Sequence, residues 1–265
     1  MGVMCGRFAV TTDPALLAEK IKAIDEATNA AKDAPAANYS APNYNVAPTT
    51  TISTVVKRHS EPDDESTRRV RQMRWGLLPP WVKTAEDGGP DTKGPLLINA
   101  RSEKLTTSPA FRSSAKGKRC LIPMDGWYEW RPNGELASGK KATKTPFYMY
   151  GGDGELLYMA GLWSTWRPKD SPKDAPPLLS CTIITTDAAG PLAEIHDRMP
   201  LTISERDWDR WLDPDAPIDE GLLRGHGDLD RIEIREVSRL VNSIRNNGPE
   251  LIEPAEPEPE QGVLL

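Results

Sequence analysis

The sequence predicts an α+β chain in which strands and loops outnumber short helices. Three observations carry this. The 265 residues include 25 Pro and 20 Gly, more than a helical protein usually carries. Short β-branched and aromatic runs recur between turn signals. The segments with helical character are all short. A chain of this length makes one large domain or two small ones. With 38% hydrophobic residues and 8 Trp it can bury a sizeable core.

Gly6–Thr11 reads as a first strand carrying Arg7-Phe8-Ala9-Val10. Asp13-Pro14 then supplies an N-cap and a first-turn proline. Leu17, Ile21 and Ile24 share one face, which predicts an amphipathic helix over 14–25. Residues 29–43 are rich in Ala, Pro and Asn and read as loop. Tyr44-Asn45-Val46-Ala47-Pro48-Thr49 leads into a strand at 51–57, and the polar stretch 59–68 reads as a hairpin tip. A strand at 70–75 ends in Arg74-Trp75-Gly76-Leu77-Leu78-Pro79-Pro80-Trp81. The two tryptophans around this Pro-rich turn are either a core corner or exposed platforms for stacking bases. A loop over 84–95 precedes Ile98-Asn99-Ala100-Arg101-Ser102-Glu103, which reads as the start of a helix, and a second short helix is expected at 108–115.

Cys120-Leu121-Ile122-Pro123 leads to Asp125-Gly126-Trp127-Tyr128-Glu129-Trp130, a strand by its aromatic content. Strands at 145–150 and 156–166 flank the hairpin signal Gly151-Gly152-Asp153-Gly154. After a polar loop at 167–177 comes a long β-branched strand, Leu178–Thr186, and a short helix at 188–194 that delivers His196-Asp197-Arg198-Met199-Pro200. Helices at 204–212 and 217–224 and a strand at 231–237 close the body. There is no internal repeat. The Pro/Glu tail from about 249 reads as disordered.

Charge and cysteine usage narrow the function classes. The formal net charge is −6, yet five of the 39 acids lie in residues 249–265, which hold no Lys or Arg. The body therefore sets 34 acids against 33 bases, and a near-neutral body can still carry a basic face. The densest basic run is Arg112 to Arg119 with Lys116 and Lys118; a solvated face is the competing reading. Three widely spaced cysteines without a C-x-x-C indicate neither a disulfide framework nor a zinc site, and fit reducing cytoplasm. No apolar run approaches 18 residues, so no membrane span is expected.

The residues with distinctive chemistry are Cys5, Glu129 and His196. A cysteine this near the start can become the terminal residue, carrying a thiol and an α-amine on one two-carbon unit. Their ordinary pKa values are about 8.5 and about 7.7–8.0. Such an aminothiol condenses with an aldehyde: the amine forms a Schiff base and the thiol closes a thiazolidine. An internal cysteine cannot do this, because its nitrogen is an amide. The competing reading is a small buried apolar residue. Strand alternation puts Trp127 and Glu129 on one face, where apolar neighbours raise a carboxyl pKa towards neutrality and make it a usable acid or base. The alternative is an exposed edge-strand Glu. Of the three histidines, His59 and His226 sit in polar, loop-like settings, whereas His196 follows an element directly, beside Asp197 and Arg198.

Seven blocks in order give the chain a resemblance to the SOS response-associated peptidase (SRAP) family: Met4-Cys5-Gly6-Arg7-Phe8, residues 44–49, Trp75-Gly76-Leu77 with Pro79 and Trp81, residues 99–103, 126–130, Ala160-Gly161-Leu162-Trp163, and 196–200. It covers about residues 4–248 and implies one compact, barrel-like α+β domain on antiparallel strands with short peripheral helices, followed by the tail 249–265. It implies recognition of abasic sites in single-stranded DNA and a covalent thiazolidine crosslink, with self-processing peptidase and lyase activity. A cysteine peptidase acting on proteins is the alternative. In that scheme Cys5 is the covalent residue, Asn99 positions the sugar and the amine, Glu129 is the acid/base, and His196 assists proton transfer. Arg7 and Arg101 grip phosphates, and Asn45, Pro48, Trp75, Trp81 and Trp130 complete the DNA-binding set. No metal or cofactor is implied. The partner is single-stranded DNA, the chain a cytoplasmic monomer, nucleoid-associated when bound. One departure matters: the family cysteine follows the initiator methionine directly, whereas here Met1-Gly2-Val3 precede Met4. Either translation starts at Met4, or the residues before Cys5 are removed, or the extension is retained and the amine stays blocked.

Overall fold

The structure, a computed structural model, describes residues 5–31, 42–134, 143–172, 174–225, 227 and 229–256. Its strands are β1 (Phe8–Val10), β2 (Ile24–Asp25), β3 (Asn43–Val46), β4 (Thr51–Arg58), β5 (Thr67–Trp75), β6 (Asn99–Arg101), β7 (Arg119–Met124), β8 (Gly126–Pro132), β9 (Lys144–Gly151), β10 (Leu157–Trp166), β11 (Leu178–Asp187), β12 (Arg198–Pro200) and β13 (Ile232–Glu236). Five short α-helices lie between them: α1 (Pro14–Lys20), α2 (Glu26–Ala31), α3 (Arg112–Ala115), α4 (Trp208–Leu212) and α5 (Glu220–Arg224).

Five strands close a barrel. β10 pairs with β7 and β11, β7 with β4, and β4 with β5, all antiparallel; parallel pairing of β11 with β5 completes the ring. Alternation explains why β7 is buried along its length. Cys120 and Ile122 point into a core with Ile52, Val56, Met73, Met159 and Cys181. Leu121 points outward into a second core with Leu17, Val55, Val70, Trp208 and Trp211, under α1 and α4. A strand buried on both faces reads as a continuous apolar run.

A second sheet, ordered β13-β9-β8-β1-β3 and antiparallel throughout, joins the barrel at one end. The Asp125 amide, just past β7, donates to Ala9 O in β1 at 2.9 Å. The Phe8 and Trp75 rings meet edge-on at 5.1 Å. The outer face of this sheet carries a third core of Tyr128, Tyr148, Val237, Val241 and Leu251.

Several expectations are corrected. The helix expected over 14–25 ends at Lys20, because Lys22 takes φ +52° and turns the chain into β2. Residues 29–31 belong to α2 and not to a loop, and 32–41 lie outside the described residues. Asn99–Arg101 is a strand held parallel to β11, with only one 3-10 turn, Ser102–Lys104, after it. The segment before His196 is a 3-10 helix, Gly190–Glu194. The chain stays folded past 249: Leu251 is fully buried and Pro254 bridges to Val237. Residues 257–265, with Met1–Met4 and His226, lie outside the described residues.

Candidate functional site

Cys5 lies just before β1, fully buried, with φ +37°. The left-handed region costs a non-glycine residue about 1–3 kcal/mol, so the surroundings must hold it there. One contact that does so is short. The Cys5 nitrogen donates to Glu129 Oε1 at 2.5 Å. Glu129 stands in β8 two residues after Trp127; both face the core that holds Cys5, whereas Tyr128 faces the opposite side. Gly126 makes this register possible. A Cβ there would lie 2.3 Å from Met149 O, on the paired strand β9.

Glu129 is 3% exposed. Burial pushes its carboxyl up from an ordinary 4.5 to about 8; the Cys5 hydrogen bond and the charge of Lys144 oppose the rise, and Asp197 adds to it. A carboxyl in that range gives and takes protons near neutral pH. Burial also pushes the Cys5 thiol well above its ordinary range, and the neighbouring Glu129 charge adds to the effect. The thiol is therefore protonated at neutral pH.

His196 lies between the 3-10 turn and β12. The Arg198 amide donates to His196 Nδ1 at 3.1 Å, while Asp197 Oδ1 lies 2.8 Å from the same nitrogen. One nitrogen cannot both accept from the amide and donate to the carboxylate. The backbone amide is fixed, whereas the Asp197 side chain is 86% exposed. Arg198 anchors this loop. Its buried guanidinium bonds Asp187, Thr185 O at 2.8 Å and Glu103 Oε2 at 3.0 Å. Glu103 follows β6, so the Arg198–Glu103 pair ties the strand bearing Asn99 to the loop bearing His196. Sequence reading gave Arg198, Lys144 and Asp197 no role. The only local signal was their place beside His196 or in the strand paired with β8.

The expected DNA-binding residues divide. Arg101 is exposed at the end of β6 and has no ion pair among the described residues. Arg7 Nη1 donates to Asn45 Oδ1 at 2.8 Å and to Val241 O at 3.0 Å, leaving Nε and Nη2 without a partner among the described residues. Asn45 is corrected: it is 4% exposed, and its amide donates to Val241 O, Ser243 O and Asn246 O, clamping the 241–246 segment. Trp75 is corrected as well. It is fully buried, its indole donating to Ile98 O at 3.0 Å, so it is the core corner and not a stacking platform. Trp81 is 57% exposed on a turn held from below by the Trp166 indole, which donates to Val82 O at 2.7 Å. Trp130 is half-buried and donates to Asn242 Oδ1 at 2.7 Å; Pro48 is half-buried in the turn after β3.

The basic run does not stay together. Arg112 and Lys116 line a groove of about 900 Å³ beside α5, Arg119 is buried against the Trp211 and Ala216 carbonyls, and Lys118 lies at the barrel end. All three cysteines are free and buried. Among the described residues no group of three or more His, Cys, Asp or Glu is placed to hold a metal, and no helix is long and apolar enough to cross a membrane.

Against known proteins, residues 4–244 match the family model described as SOS response associated peptidase (SRAP). The chain is 37% identical over 253 residues to the abasic site processing protein YoqW of Bacillus subtilis (strain 168), spanning 94% of this chain and 99% of that one. It is 33% identical over 240 residues to the abasic site processing protein HMCES of Gallus gallus, spanning 81% of this chain and 67% of that one. A crystal structure of a protein from Bacteroides thetaiotaomicron superposes with a TM-score of 0.71 at 22% identity, over 95% of this chain and 100% of that chain, a likeness of fold.

Proposed function

Because the chain belongs to the SOS response-associated peptidase family, we propose that it captures abasic sites in single-stranded DNA through a covalent bond at Cys5, once the residues before Cys5 are gone. One observation carries this reading: the Cys5 nitrogen is hydrogen-bonded, at 2.5 Å, to the buried carboxyl of Glu129. That nitrogen becomes the α-amine when Cys5 is the first residue.

The chemistry runs in three steps. An abasic deoxyribose is mostly a closed hemiacetal, so its hydroxyl loses a proton and its ring oxygen gains one before an aldehyde exists. His196 serves the sugar oxygen. Asn99, half-buried on β6, positions the sugar and the amine. Glu129 takes a proton from the α-ammonium. The amine then adds to the aldehyde, and Glu129 returns the proton to the departing hydroxyl, leaving a Schiff base and water. Finally Sγ adds to the C=N carbon and its proton passes to nitrogen, closing the thiazolidine. The net change is aldehyde plus aminothiol to thiazolidine plus water. Ring closure also diverts the Schiff base from β-elimination, the lyase branch that would break the strand.

The same pair accounts for self-processing. Sγ of Cys5 can attack the carbonyl carbon of Met4 through a five-membered ring. The Cys5 nitrogen leaves as an amine with a proton from Glu129, and water hydrolyses the resulting thioester. Peptidase action on other proteins has less support, since a general cysteine peptidase needs an accessible thiolate and Cys5 is buried with a raised thiol. Arg7 and Arg101 suit phosphate, being always charged and able to bind it bidentately. Trp81 and Trp130 are the remaining stacking platforms.

The test is to incubate protein whose terminus is confirmed as Cys5 with a single strand bearing one abasic site. A denaturing gel and mass mapping should show one adduct on Cys5. Acetylating the terminal amine should abolish it. An unmodified oligonucleotide would refute the proposal.

A further inference from the structure

Where β4 ends and β7 begins, four cations crowd together. β7 runs from the Lys118 side to Met124, next to the Asp125 amide that bonds β1. Six residues of strand put Lys118 about 20 Å from that junction. β4 pairs antiparallel with β7 through Val55 and Leu121, and extending that register sets Arg58 opposite Lys118. Like charges directly opposite destabilise a ladder. Arg69 and Arg71 stand on the neighbouring strand β5, and both bond Glu26.

Neither Arg58 nor Lys118 makes an ion pair among the described residues; Glu26, whose charge reaches Arg58, is paired with Arg69 and Arg71. Both lie over the Trp163 ring, each 5.2 Å from its centroid. The Trp163 amide donates to Lys118 O at 2.9 Å, fixing the ring beside the lysine. Lys118 Nζ makes one hydrogen bond, donating to Thr165 Oγ1 at 3.3 Å. The mutual repulsion is felt: burial and then Arg71 and Arg69 lower the Arg58 pKa, with Glu26 opposing them, and burial and then Arg58 lower that of Lys118. Two crowded cations on one ring, with spare donors and no ion pair of their own among the described residues, are arranged to take an anion.

We infer that Arg58 and Lys118, on the floor made by Trp163, form a second site that takes a phosphate oxyanion and shares no residue with the Cys5–Glu129 pair. The guanidinium fork and the ammonium converge on one oxyanion, with Thr165 holding the lysine. The phosphate belongs either to a nucleic-acid strand or to a small phosphorylated molecule. Neither source depends on the chemistry at Cys5.

The probe is inorganic phosphate, read as the melting temperature of the full chain against chloride of equal ionic strength. Phosphate at five times its dissociation constant should raise the wild-type Tm by about 2–4 °C. In R58Q/K118Q the phosphate-specific rise should vanish, and the Tm in chloride should be equal or higher because repulsion is relieved. The single variant K118Q guards against misfolding and should reduce the rise. No phosphate-specific rise in the wild type, or one the double variant retains, overturns the site. A lesion-free dT 20-mer distinguishes the sources. A variant-sensitive rise at micromolar strand supports a nucleic-acid backbone, and a rise with inorganic phosphate alone supports a small phosphate compound.

Discussion

Freeing the Cys5 nitrogen should change the charge state of Glu129, and with it the pH dependence of stability. In the intact chain that nitrogen is an amide, and the carboxyl sits at about 8 against an ordinary 4.5. The folded state then binds the extra proton between those values. Stability is fully present below about 4.5 and falls as pH rises through 8, by about 5 kcal/mol at 1.36 kcal/mol per unit. When Cys5 is the first residue, an ammonium replaces the amide 2.5 Å from Oε1. At an effective dielectric of about 20 that attraction is about 6 kcal/mol, larger than the burial effect it opposes. The carboxyl ionises and its pKa falls, while that of the amine rises above its ordinary value of about 7.7–8.0. The processed protein should therefore hold its stability between pH 5 and 8, where the intact chain loses it. Urea unfolding across pH 5–9, in a Cys5→Ala background that blocks chemistry but keeps the nitrogen, measures this for chains with and without residues 1–4. Equal slopes in the two forms, or a slope that survives Glu129→Gln in the intact chain, would refute the reasoning.

Trp81→Ala should weaken binding of a single strand by about 1–3 kcal/mol in an anisotropy titration without moving the Tm, since its ring is exposed. Trp75→Ala should do the reverse, costing about 3–5 kcal/mol of stability in a denaturant melt. Arg101→Ala should flatten the salt dependence of strand binding by about 0.7 in log–log slope; an unchanged slope removes it from the phosphate contacts. Gly126→Ala forces Cβ onto Met149 O and shifts the strand that carries Glu129. It should cost about 1–3 kcal/mol of stability and slow adduct formation more than it weakens binding.

Much of the barrel was legible because its strands obey local alternation between two apolar surroundings. β4, β5, β10 and β11 each appear in the sequence within a few residues of their bounds, whereas β7 reads only as a lead-in to the strand at 125–130. The failures share a cause, distance along the chain. β6 is three residues long and exists only through its pairing with β11, about 80 positions later, so Asn99-Ala100-Arg101 carries no strand signal of its own. The Asn45 amide finds its acceptors near residue 241, a partnership no local pattern encodes. The end of α1 turns on a left-handed Lys22, where a glycine would have announced the break. At the candidate site, Cys5 and Glu129, singled out separately in the sequence, are in contact in the structure. Arg198, which ties the Asn99 strand to the His196 loop, was not legible, because its value lies in three contacts made far from its neighbours in sequence.

For the proposed capture reaction, the electrostatics favour one order for the two nucleophiles of Cys5. A cysteine hydrolase lowers its thiol pKa with a nearby imidazolium or helix terminus. Here the group beside the cysteine is a buried carboxyl, and it raises the thiol instead. Without the ring-forming proximity that its own Met4 carbonyl offers, the thiol is thus a poor first nucleophile. The nitrogen is the atom the site prepares, because the short hydrogen bond runs from it to Glu129 and not from Sγ. With the amine attacking first, the thiol meets an already activated C=N carbon in a five-membered approach, where proximity substitutes for a lowered pKa. A raised thiol pKa is then no handicap. It keeps the sulfur protonated until the amine has committed the sugar.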